Sequence, residues 1–371
     1  MHILHVIDSL SVGGAERMLV ELANKTVERG DRASVCITRS GCALKKALRP
    51  EISCLILNRQ RRFEYSAIKP LAKFVKEEKV SLLHIHSRTT LAFISMIKSL
   101  NMLHVPIVFH DHYGSIETDR SVPLWMRLWA KYWVSHYVGV YSKLAGWAKA
   151  AGINPQRISV IDNALDLNRY LEAEPVDIRR EFNLPGNVPV GIVIGGLRRE
   201  KGIDVLLEAL AQSAYPPAAN ILIVGGERDQ AYVRHCRTRC EALGLNDSVI
   251  FTGNRLDVPG LLAGADFGII ASRSESGPLV LIEFLASGLP FVSTLVGSIA
   301  HRVSELGVPE FVDPEDPLGL AKAIDELLSL STSQRRERGK RGQEIARCHF
   351  DISAQMSQWY QIYTAVLAGS N

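Results

Sequence analysis

Two glutamates lie eight positions apart in one largely apolar segment, SESGPLVLIEFLASGLP, which runs from residue 274 to residue 290. Gly277 and Pro278 end the preceding segment, and proline suits the first helical position because its missing N–H would have no partner there. The helix that follows, expected from Leu279 to Ala286, is apolar nearly all round, so Glu283 within it is costly unless hydrogen bonds satisfy its carboxylate. Glu275 precedes the helix, whose N-terminus offers N–H groups and partial positive charge to phosphate or sugar oxygens. The pair predicts a site for a polar ligand; a structural glutamate satisfied by backbone or an arginine is the alternative.

Three loops that follow predicted strands contain cations or glycines. The loop GGLRREKG places Arg198, Arg199 and Lys201 directly after a strand, and the loops VGGERD and FTGNRLD add Gly226 and Arg255. Cations beside glycines, where a ligand can approach the backbone closely, suit a diphosphate. These loops and the two glutamates are expected at one edge of one sheet, so together they predict a pocket for a sugar nucleotide.

Histidines are concentrated at the ends of two predicted strands in the first half of the chain. His84 and His86 end one strand, and His110, Asp111 and His112 end another. A histidine at the carboxyl end of a strand can orient a substrate hydroxyl or shuttle a proton near neutral pH. The alternative for each of them is a hydrogen-bonded surface histidine.

Strand and helix signals alternate along the whole chain. The first strand, within MHILHVIDSL, precedes Gly13, Gly14 and a helix from Ala15 to Val27; this layout suits phosphate but lacks the third glycine of a dinucleotide fingerprint. Such alternation predicts parallel sheets with helices on both faces, in which ligands bind at the carboxyl ends of the strands. Further strands in the first half are expected at Ala33–Thr38, Ile52–Leu57, Leu82–His86, Ile107–His110 and Tyr137–Val140.

A polar, proline-containing segment at 166–188 predicts a linker between two domains, the first at 1–165 and the second at 189–349. In the second domain the strand sequences GIVIGG, ANILIVGG, SVIFTG, FGIIAS and FVST again alternate with helical sequences. The expected fold class is therefore α/β, with two doubly wound, Rossmann-like domains.

The composition is that of a soluble globular protein. Of 371 residues, 47% are apolar and 22% charged, and the net charge of +4 permits an anionic substrate or membrane surface without requiring either. No nucleic-acid partner is expected. No apolar run is long enough to span a bilayer, and the N-terminus reads as a strand rather than a signal peptide, so we expect a cytoplasmic protein. The six scattered cysteines are expected to be reduced, and His235, Cys236 and Cys240 lack the second ligand pair of a zinc site.

One stretch, RSVPLWMRLWAKYWVSHY, places Trp125, Trp129 and Trp133 at every fourth position, which makes one stripe on a helix. The stripe either faces the core or forms an interfacial patch that meets a membrane or a lipid-borne acceptor. The basic pair Arg61 and Arg62 would support the second interpretation if it lay on the same face.

Four motifs in order resemble those of the retaining glycosyltransferases of family 4, and the resemblance covers nearly the whole chain. GGAER at 13–17 is similar to that family's glycine loop, NALD at 163–166 to its hinge motif, and GGLRREKG at 195–202 to its phosphate loop. The spacing of Glu275 and Glu283 matches its signature pair of glutamates.

This resemblance implies the GT-B fold, in which two Rossmann-like domains face each other across a cleft. The nucleotide sugar would bind mainly to the second domain and the acceptor to the first. The last helix, at 350–368, would pack back onto the first domain.

The resemblance also implies roles for individual residues. Glu275 would hold hydroxyls of the transferred sugar, and Glu283 would accept hydrogen bonds from the ribose. Lys201 would neutralise the diphosphate, and His112 matches the position of the family's active-site histidine. The expected donor contacts also include Gly13, Gly14, Arg198, Arg199, Gly226, Arg255, Gly277, Pro278 and Leu279.

The implied reaction is metal-independent transfer with retention of configuration. Gly196 stands where the family commonly has an arginine, so Arg198 or Arg199 is expected to supply that charge. Lys201, an arginine and the helix N-terminus would stabilise the departing diphosphate without a metal ion or other cofactor.

The expected activity is therefore hexosyl transfer from a nucleotide sugar, with uridine as the family's usual base. The acceptor would be a glycan, a lipid-linked sugar or a polysaccharide precursor. The alternatives are a small soluble acceptor such as a cyclitol, an epimerase that acts on free nucleotide sugars, and a non-catalytic partner that keeps the fold.

Overall fold

The structure is a computed structural model that describes every residue except 115, 117, 118, 120, 187, 214–218, 228, 309, 370 and 371. Contacts divide the chain into two compact units. The first comprises Met1–Ala164 and Ile352–Asn371, and the second comprises Leu165–Asp351.

The strands confirm the predicted alternation. In chain order they are β1 His2–Ile7, β2 Arg32–Ile37, β3 Ser53–Ile56, β4 Leu82–Ile85, β5 Ile107–Asp111, β6 Val134–Gly139, β7 Ile158–Val160, β8 Val190–Ile194, β9 Asn220–Val224, β10 Val249–Gly253, β11 Phe267–Ile270, β12 Phe291–Thr294 and β13 Phe311–Val312.

Helices separate most of these strands. They are α1 Gly14–Glu28, α2 Ile68–Glu77, α3 Arg88–Ser99, α4 Leu124–Trp133, α5 Ser142–Ala150, α6 Asn168–Leu171, α7 Ile178–Glu181, α8 Ile203–Gln212, α9 Gln230–Ala242, α10 Val258–Gly264, α11 Leu279–Ser287, α12 Gly297–Glu305, α13 Pro317–Ser329, α14 Thr332–His349 and α15 Ile352–Ala368.

Each unit contains one parallel sheet. The strand order is β3-β2-β1-β4-β5-β6-β7 in the first and β10-β9-β8-β11-β12-β13 in the second. Both orders reverse beside the first strand of the sheet, between β1 and β4 and between β8 and β11. This is the topological switch point at which doubly wound sheets bind ligands beyond the carboxyl ends of the strands. The predicted fold class, two Rossmann-like domains, is confirmed.

Two segments near the boundary between the units belong to different units. Residues 166–188, expected as a linker, fall in the second unit, where Leu167, Tyr170 and Ile178 are buried in its core. The last helix, α15, belongs to the first unit and buries Trp359 against a core of that unit.

The tryptophans of α4 are only half-buried. Trp125 and Trp133 pack against the core of the first unit, and the ring of Trp129 meets Phe63 edge-on at 6.2 Å between centroids. The guanidinium of Arg62 lies 4.4 Å from the centre of the Trp125 ring, so Arg62 of the basic pair lies on the face of this stripe. No helix in the described part of the chain combines the length and apolar composition needed to cross a bilayer.

Candidate functional site

The switch point of the second unit brings together the predicted lysine and glutamate. Lys201 follows β8 and Glu275 follows β11, and the two side chains form a salt bridge while remaining 16% and 15% exposed. Ser272 donates a hydrogen bond of 2.8 Å to the same carboxylate oxygen, Oε1. The small pocket at this point is lined by residues that include Gly195, Lys201, Ser272, Glu275 and Pro278.

The turn that carries Lys201 depends on a glycine. Residues Arg199–Lys201 form a short 3₁₀ turn, and Gly202 then reverses the chain with φ at +61° before α8 begins. A Cβ on Gly202 would lie 2.0 Å from the carbonyl oxygen of Ala271, so the loop after β8 can approach the end of β11 only through a glycine.

Arg273 fixes the same turn from the β11 side. Its guanidinium donates two hydrogen bonds to Asp204, of 2.8 and 2.9 Å, and a third of 2.9 Å to the carbonyl oxygen of Arg199. Burial tends to raise the pKa of Asp204, but hydrogen bonds from Arg273 and Tyr232 outweigh it and lower that pKa to about 2. Arg273 was not predicted from the sequence, because it lies 69 positions from its partner Asp204.

Helix α11 places the second glutamate beneath the site. Glu283 is 3% exposed, and the hydroxyl of Tyr170 donates a hydrogen bond of 2.8 Å to its Oε1. Tyr170 is also buried. The carboxylate that was costly on sequence grounds thus has a hydrogen-bonding partner from α6, a residue that the sequence analysis did not select.

A second helix start lies close to the α11 start. Gly297, at the beginning of α12, has φ at +79°, and a Cβ there would lie 2.9 Å from Cδ of Pro278. The backbone N–H of Ser298 donates to the carbonyl oxygen of Ser276 at 2.8 Å. These contacts hold the loop of Gly277 and Pro278 against α12, so Leu279 begins α11 beside a second helix N-terminus.

The switch point of the first unit contains a carboxylate network that the sequence analysis missed. Asp8 follows β1 and accepts hydrogen bonds from Thr38 and Thr89 at 2.6 Å each and from Arg59 at 2.8 Å. Gly13 lies at the N-cap of α1 in extended backbone, and Gly14 is the first helical residue. The predicted glycine turn therefore does open a helix at this edge.

Histidines from three neighbouring strands meet beside this network. Nε2 of His112 lies 3.4 Å from Nδ1 of His86, whose Nε2 lies 3.1 Å from Nδ1 of His5. Burial lowers the pKa of His112 to about 3, so its imidazole is neutral at neutral pH. Asp111 does not face these rings as a free carboxylate, because it accepts hydrogen bonds from Arg88 at 2.9 Å and Tyr137 at 2.9 Å.

Two family models match adjoining parts of the chain. The family described as Glycosyltransferase Family 4 matches residues 12–169, and the family described as Glycosyl transferases group 1 matches residues 176–345. The chain belongs to glycosyltransferase family 4.

Relatives of this glycosyltransferase carry names that refer to different small molecules. It is 24% identical to N-acetyl-alpha-D-glucosaminyl L-malate synthase of Bacillus anthracis, over 96% of this chain and 95% of that protein. It is 30% identical to D-inositol 3-phosphate glycosyltransferase of Salinispora tropica, but over only 47% of this chain and 39% of that protein.

Solved structures support the fold of the glycosyltransferase. It superposes on the Anabaena protein HepE, crystallised in complex with UDP-glucose, with a TM-score of 0.83 and 24% identity. The superposition covers 99% of this chain and all of HepE. At this identity the likeness shows the fold, and the two sheets described above account for it.

The remaining predicted donor residues of the glycosyltransferase differ from one another in their surroundings. Arg198 and Arg199 are exposed beside the Lys201 turn, and the carbonyl oxygen of Gly226 accepts a hydrogen bond of 2.9 Å from Leu197 in the same loop. Arg255 instead forms salt bridges with Asp257 and Glu181.

These two carboxylates raise the pKa of Arg255 and occupy its guanidinium. A diphosphate would have to displace both of them. The geometry therefore does not support the predicted role of Arg255 in donor binding, and Arg255 is not part of the proposed donor site.

Proposed function

We propose that this family 4 enzyme transfers a hexose from a uridine diphosphate sugar to an acceptor hydroxyl with retention of configuration. The observation that carries the proposal is the salt bridge between Lys201 and Glu275 at the switch point of the second sheet, at the start of α11. The site offers one ammonium for a diphosphate and one carboxylate for sugar hydroxyls, and both groups remain partly accessible.

Donor binding would separate these two charges. The ammonium of Lys201 would turn to the diphosphate oxygens, and the carboxylate of Glu275 would accept hydrogen bonds from sugar hydroxyls. Glu283 would accept the ribose hydroxyls while Tyr170 keeps its carboxylate in place. In this proposal Lys201 and Glu275 each exchange one partner for another and Glu283 keeps Tyr170, so none of these charges is left unpaired.

The chemical step breaks the bond between C1 of the sugar and the diphosphate oxygen. Negative charge then develops on the leaving group, where Lys201, Arg198 or Arg199 and the N-termini of α11 and α12 stabilise it. These groups supply the role that a divalent cation would otherwise have, so we propose that transfer needs no metal ion. The acceptor hydroxyl attacks from the face that the diphosphate leaves, and Glu275 is not assigned as a nucleophile.

The acceptor is proposed to be a glycan or lipid-linked sugar that meets the enzyme at a membrane. Support comes from α4, where Leu124, Leu128 and Tyr132 are 73%, 51% and 68% exposed at every fourth position. Arg127 and Lys131 are exposed beside them. An apolar stripe flanked by cations is typical of a helix that lies in the surface of an anionic membrane.

A small soluble acceptor is the second candidate function. The relative aligned over nearly its whole length is named for malate as the acceptor, and the partly aligned relative is named for inositol phosphate. Transfer to such an anion would leave the exposed stripe of α4 without a role.

The first experiment identifies the donor and the reaction. Thermal unfolding is followed with UDP-, GDP- and ADP-glucose, because a ligand at 100 times its Kd stabilises the native state by about 2.7 kcal/mol. Products are then followed by NMR with each donor and a membrane extract, malate or inositol phosphate. Product from a uridine donor with the same anomeric configuration is expected; an inverted product, or conversion of the donor without an acceptor, contradicts the proposal.

Lys201→Met is the matched test of the leaving-group contact. Removing one group that stabilises transition-state charge is expected to lower kcat by about 10²- to 10³-fold. Lys322→Met, an exposed lysine on α13 of the same unit, is the control and should leave kcat unchanged. Equal activity of both variants would remove Lys201 from the mechanism.

The membrane contact is tested by sedimentation with vesicles that contain anionic or only zwitterionic lipid. Wild type should sediment with the anionic vesicles, and the triple variant Leu124→Ser, Leu128→Ser, Tyr132→Ser should not. The double variant Leu256→Ser, Leu318→Ser removes exposed apolar residues from the second unit and should bind like wild type. Loss of binding in both variants, or in neither, would contradict a contact through α4.

A further inference from the structure

Five histidines of the first unit form one cluster at the carboxyl ends of β1, β4 and β5. Successive rings lie within stacking distance, with centroids 3.9 Å apart for His110 and His112 and 4.3 Å apart for His84 and His86. Of these rings, only His112 has an expected role in transfer, and that role comes from the family resemblance. The cluster comprises His5, His84, His86, His110 and His112.

Of the five histidines, His110 is the one whose burial is explained least by contacts with the described residues. The residue is 1% exposed, and neither of its ring nitrogens has a hydrogen-bonding partner among the described residues. A neutral imidazole carries one N–H and one lone pair, and burying both without partners costs free energy. A ligand that takes the lone pair would remove part of that cost.

Ring nitrogens of three histidines approach one another in two combinations within the described part of the chain. Each combination keeps one nitrogen per residue within 4.8 Å of the others. In the first, His5, His84 and His86 are all buried, and the planes of His84 and His86 are stacked at 18°.

The second combination is the one that contains His110, whose two ring nitrogens have no partner among the described residues. His110 is tilted by 51° to His86 and by 45° to His112, so its ring plane crosses both others, while the rings of His86 and His112 are stacked at 15°. Nδ1 of His86 and Nε2 of His112 are 3.4 Å apart. Two nitrogens bound to zinc at about 2.05 Å with a tetrahedral angle are about 3.3 Å apart, which is close to this separation.

We propose that His86, His110 and His112 bind one zinc-like transition-metal ion. The ligand atoms are Nδ1 of His86, Nε2 of His112 and one ring nitrogen of His110, and His112, which is half-buried, gives access from solvent. Three histidines and one open position, filled by water or an anion, are a common set for zinc. Asp111 is not a ligand, because Arg88 and Tyr137 already hold its carboxylate.

A contact outside the proposed ligand set also supports such an ion. The second nitrogen of His86 lies 3.1 Å from Nδ1 of His5. A hydrogen bond at that position is the outer contact that usually orients a metal-bound histidine.

The ion would inhibit transfer rather than assist it, a consequence that rests on the proposed function. The family resemblance implies that His112 is the active-site histidine, and a metal on its Nε2 would withdraw it from substrate. Binding of the ion is a separate property of the first unit and does not depend on which sugar is transferred.

Metal binding is tested on the full chain, without an affinity tag and after treatment with a chelator. Titration calorimetry with zinc chloride should give one ion per chain. His110→Phe keeps a ring of similar size but has no lone pair, and should weaken binding at least ~100-fold, since loss of even an outer contact costs 10- to 100-fold. His84→Phe changes the same core outside the proposed ligand set and should bind as wild type does; His104→Ala, an exposed histidine, is the surface control.

The following results would overturn the metal site or its proposed effect on transfer. Wild type that binds no zinc, or His110→Phe that binds it unchanged, excludes the site, and loss in His84→Phe alone places the ion in the first combination. Should His110→Phe fail to fold by circular dichroism, X-ray absorption of the zinc-loaded wild type decides, because the proposal requires three imidazole ligands. If zinc binds as expected but does not inhibit transfer, the active-site role that the resemblance implies for His112 is wrong and the metal site stands.

Discussion

Glu283 illustrates how one residue connects the stability of the second unit to its chemistry. A carboxylate buried in an apolar helix remains ionised only where donors replace the water it has lost. Tyr170 is one such donor, at 2.8 Å, and it comes from a part of the chain 113 positions away. The proposed ribose contact would add a second kind of donor only when substrate is bound, so the resting site must already satisfy the charge.

Replacing that tyrosine should therefore cost stability before any substrate is present. Tyr170→Phe keeps the ring and removes one hydrogen bond to a charged group, so the free energy of unfolding should fall by about 1.5–3 kcal/mol. Urea unfolding, followed by hydrogen exchange in the second unit, measures the loss. Tyr132→Phe, at an exposed position, should change nothing, and an equally stable Tyr170→Phe would mean that this bond does not satisfy Glu283.

The lowered pKa of Asp204 predicts how the stability of the second unit changes with pH. Its folded pKa of about 2 lies below the usual value of 3.8, so its contribution is fully present above pH of about 4 and is lost as pH falls toward 2. A shift of this size corresponds to about 2 kcal/mol at pH 7, and about half of it should be gone at pH 3. The stability difference between wild type and Arg273→Met, from urea midpoints at pH 5 and pH 3, should shrink accordingly. A difference that is constant or grows toward pH 3 would contradict the assignment to this ion pair.

At the scale of elements, the turn between β8 and α8 decides where Lys201 lies. Gly202→Ala should destabilise the second unit by more than the 1–2 kcal/mol typical of a left-handed backbone alone, because the added Cβ also meets the Ala271 carbonyl at 2.0 Å. Gly244→Ala is the matched control: its φ is +68° but nothing lies within 4 Å of the added atom. The midpoints of urea unfolding should therefore fall further for Gly202→Ala, and equal losses would mean that the clash relaxes without cost.

Strands and amphipathic helices were predictable from the sequence because their apolar residues repeat with the right period. The helix that carries Glu283 was expected from residue 279 to 286 and extends from Leu279 to Ser287. Helix α14, Thr332–His349, was missed because its buried positions include Gly339 and Gly342 rather than large apolar residues. A Cβ on Gly339 would lie 2.0 Å from the carbonyl oxygen of Gly288, so this helix packs by close backbone approach. Only its capping box, at Ser331 and Gln334, marks it in the sequence.

The site was predictable to the extent that its residues lie in local motifs. Lys201 and Glu275 are brought together, as the order of loops along one sheet edge implied. Arg273 and Tyr170 were not selected, because their partners are distant in sequence and only the folded sheet shows the pairing. The predicted stripe on α4 consisted of the tryptophans, whereas the more exposed side chains lie one position before each of them. A repeat of four residues does not by itself show which face of the helix is exposed to solvent.

At the scale of the whole molecule, the chain leaves the first unit once and returns to it at its end. The return occurs at residue 352, where α15 joins the core that contains Ile3 and Met18. Two large side chains on either side of this point, Phe350 and Trp359, are fully buried but belong to different cores. Neighbours in sequence therefore contribute to the stability of different units.

Truncating each of these side chains should separate the two contributions. Trp359→Ala and Phe350→Ala each remove a fully buried ring and should cost about 3–5 kcal/mol. Hydrogen exchange read by mass spectrometry should speed up mainly in β1 and β4 for Trp359→Ala, and mainly in β8 and β11 for Phe350→Ala, because each ring supports only its own core. If either variant accelerates exchange equally in all four strands, the chain unfolds as one cooperative body, and the division at residue 352 has no energetic meaning.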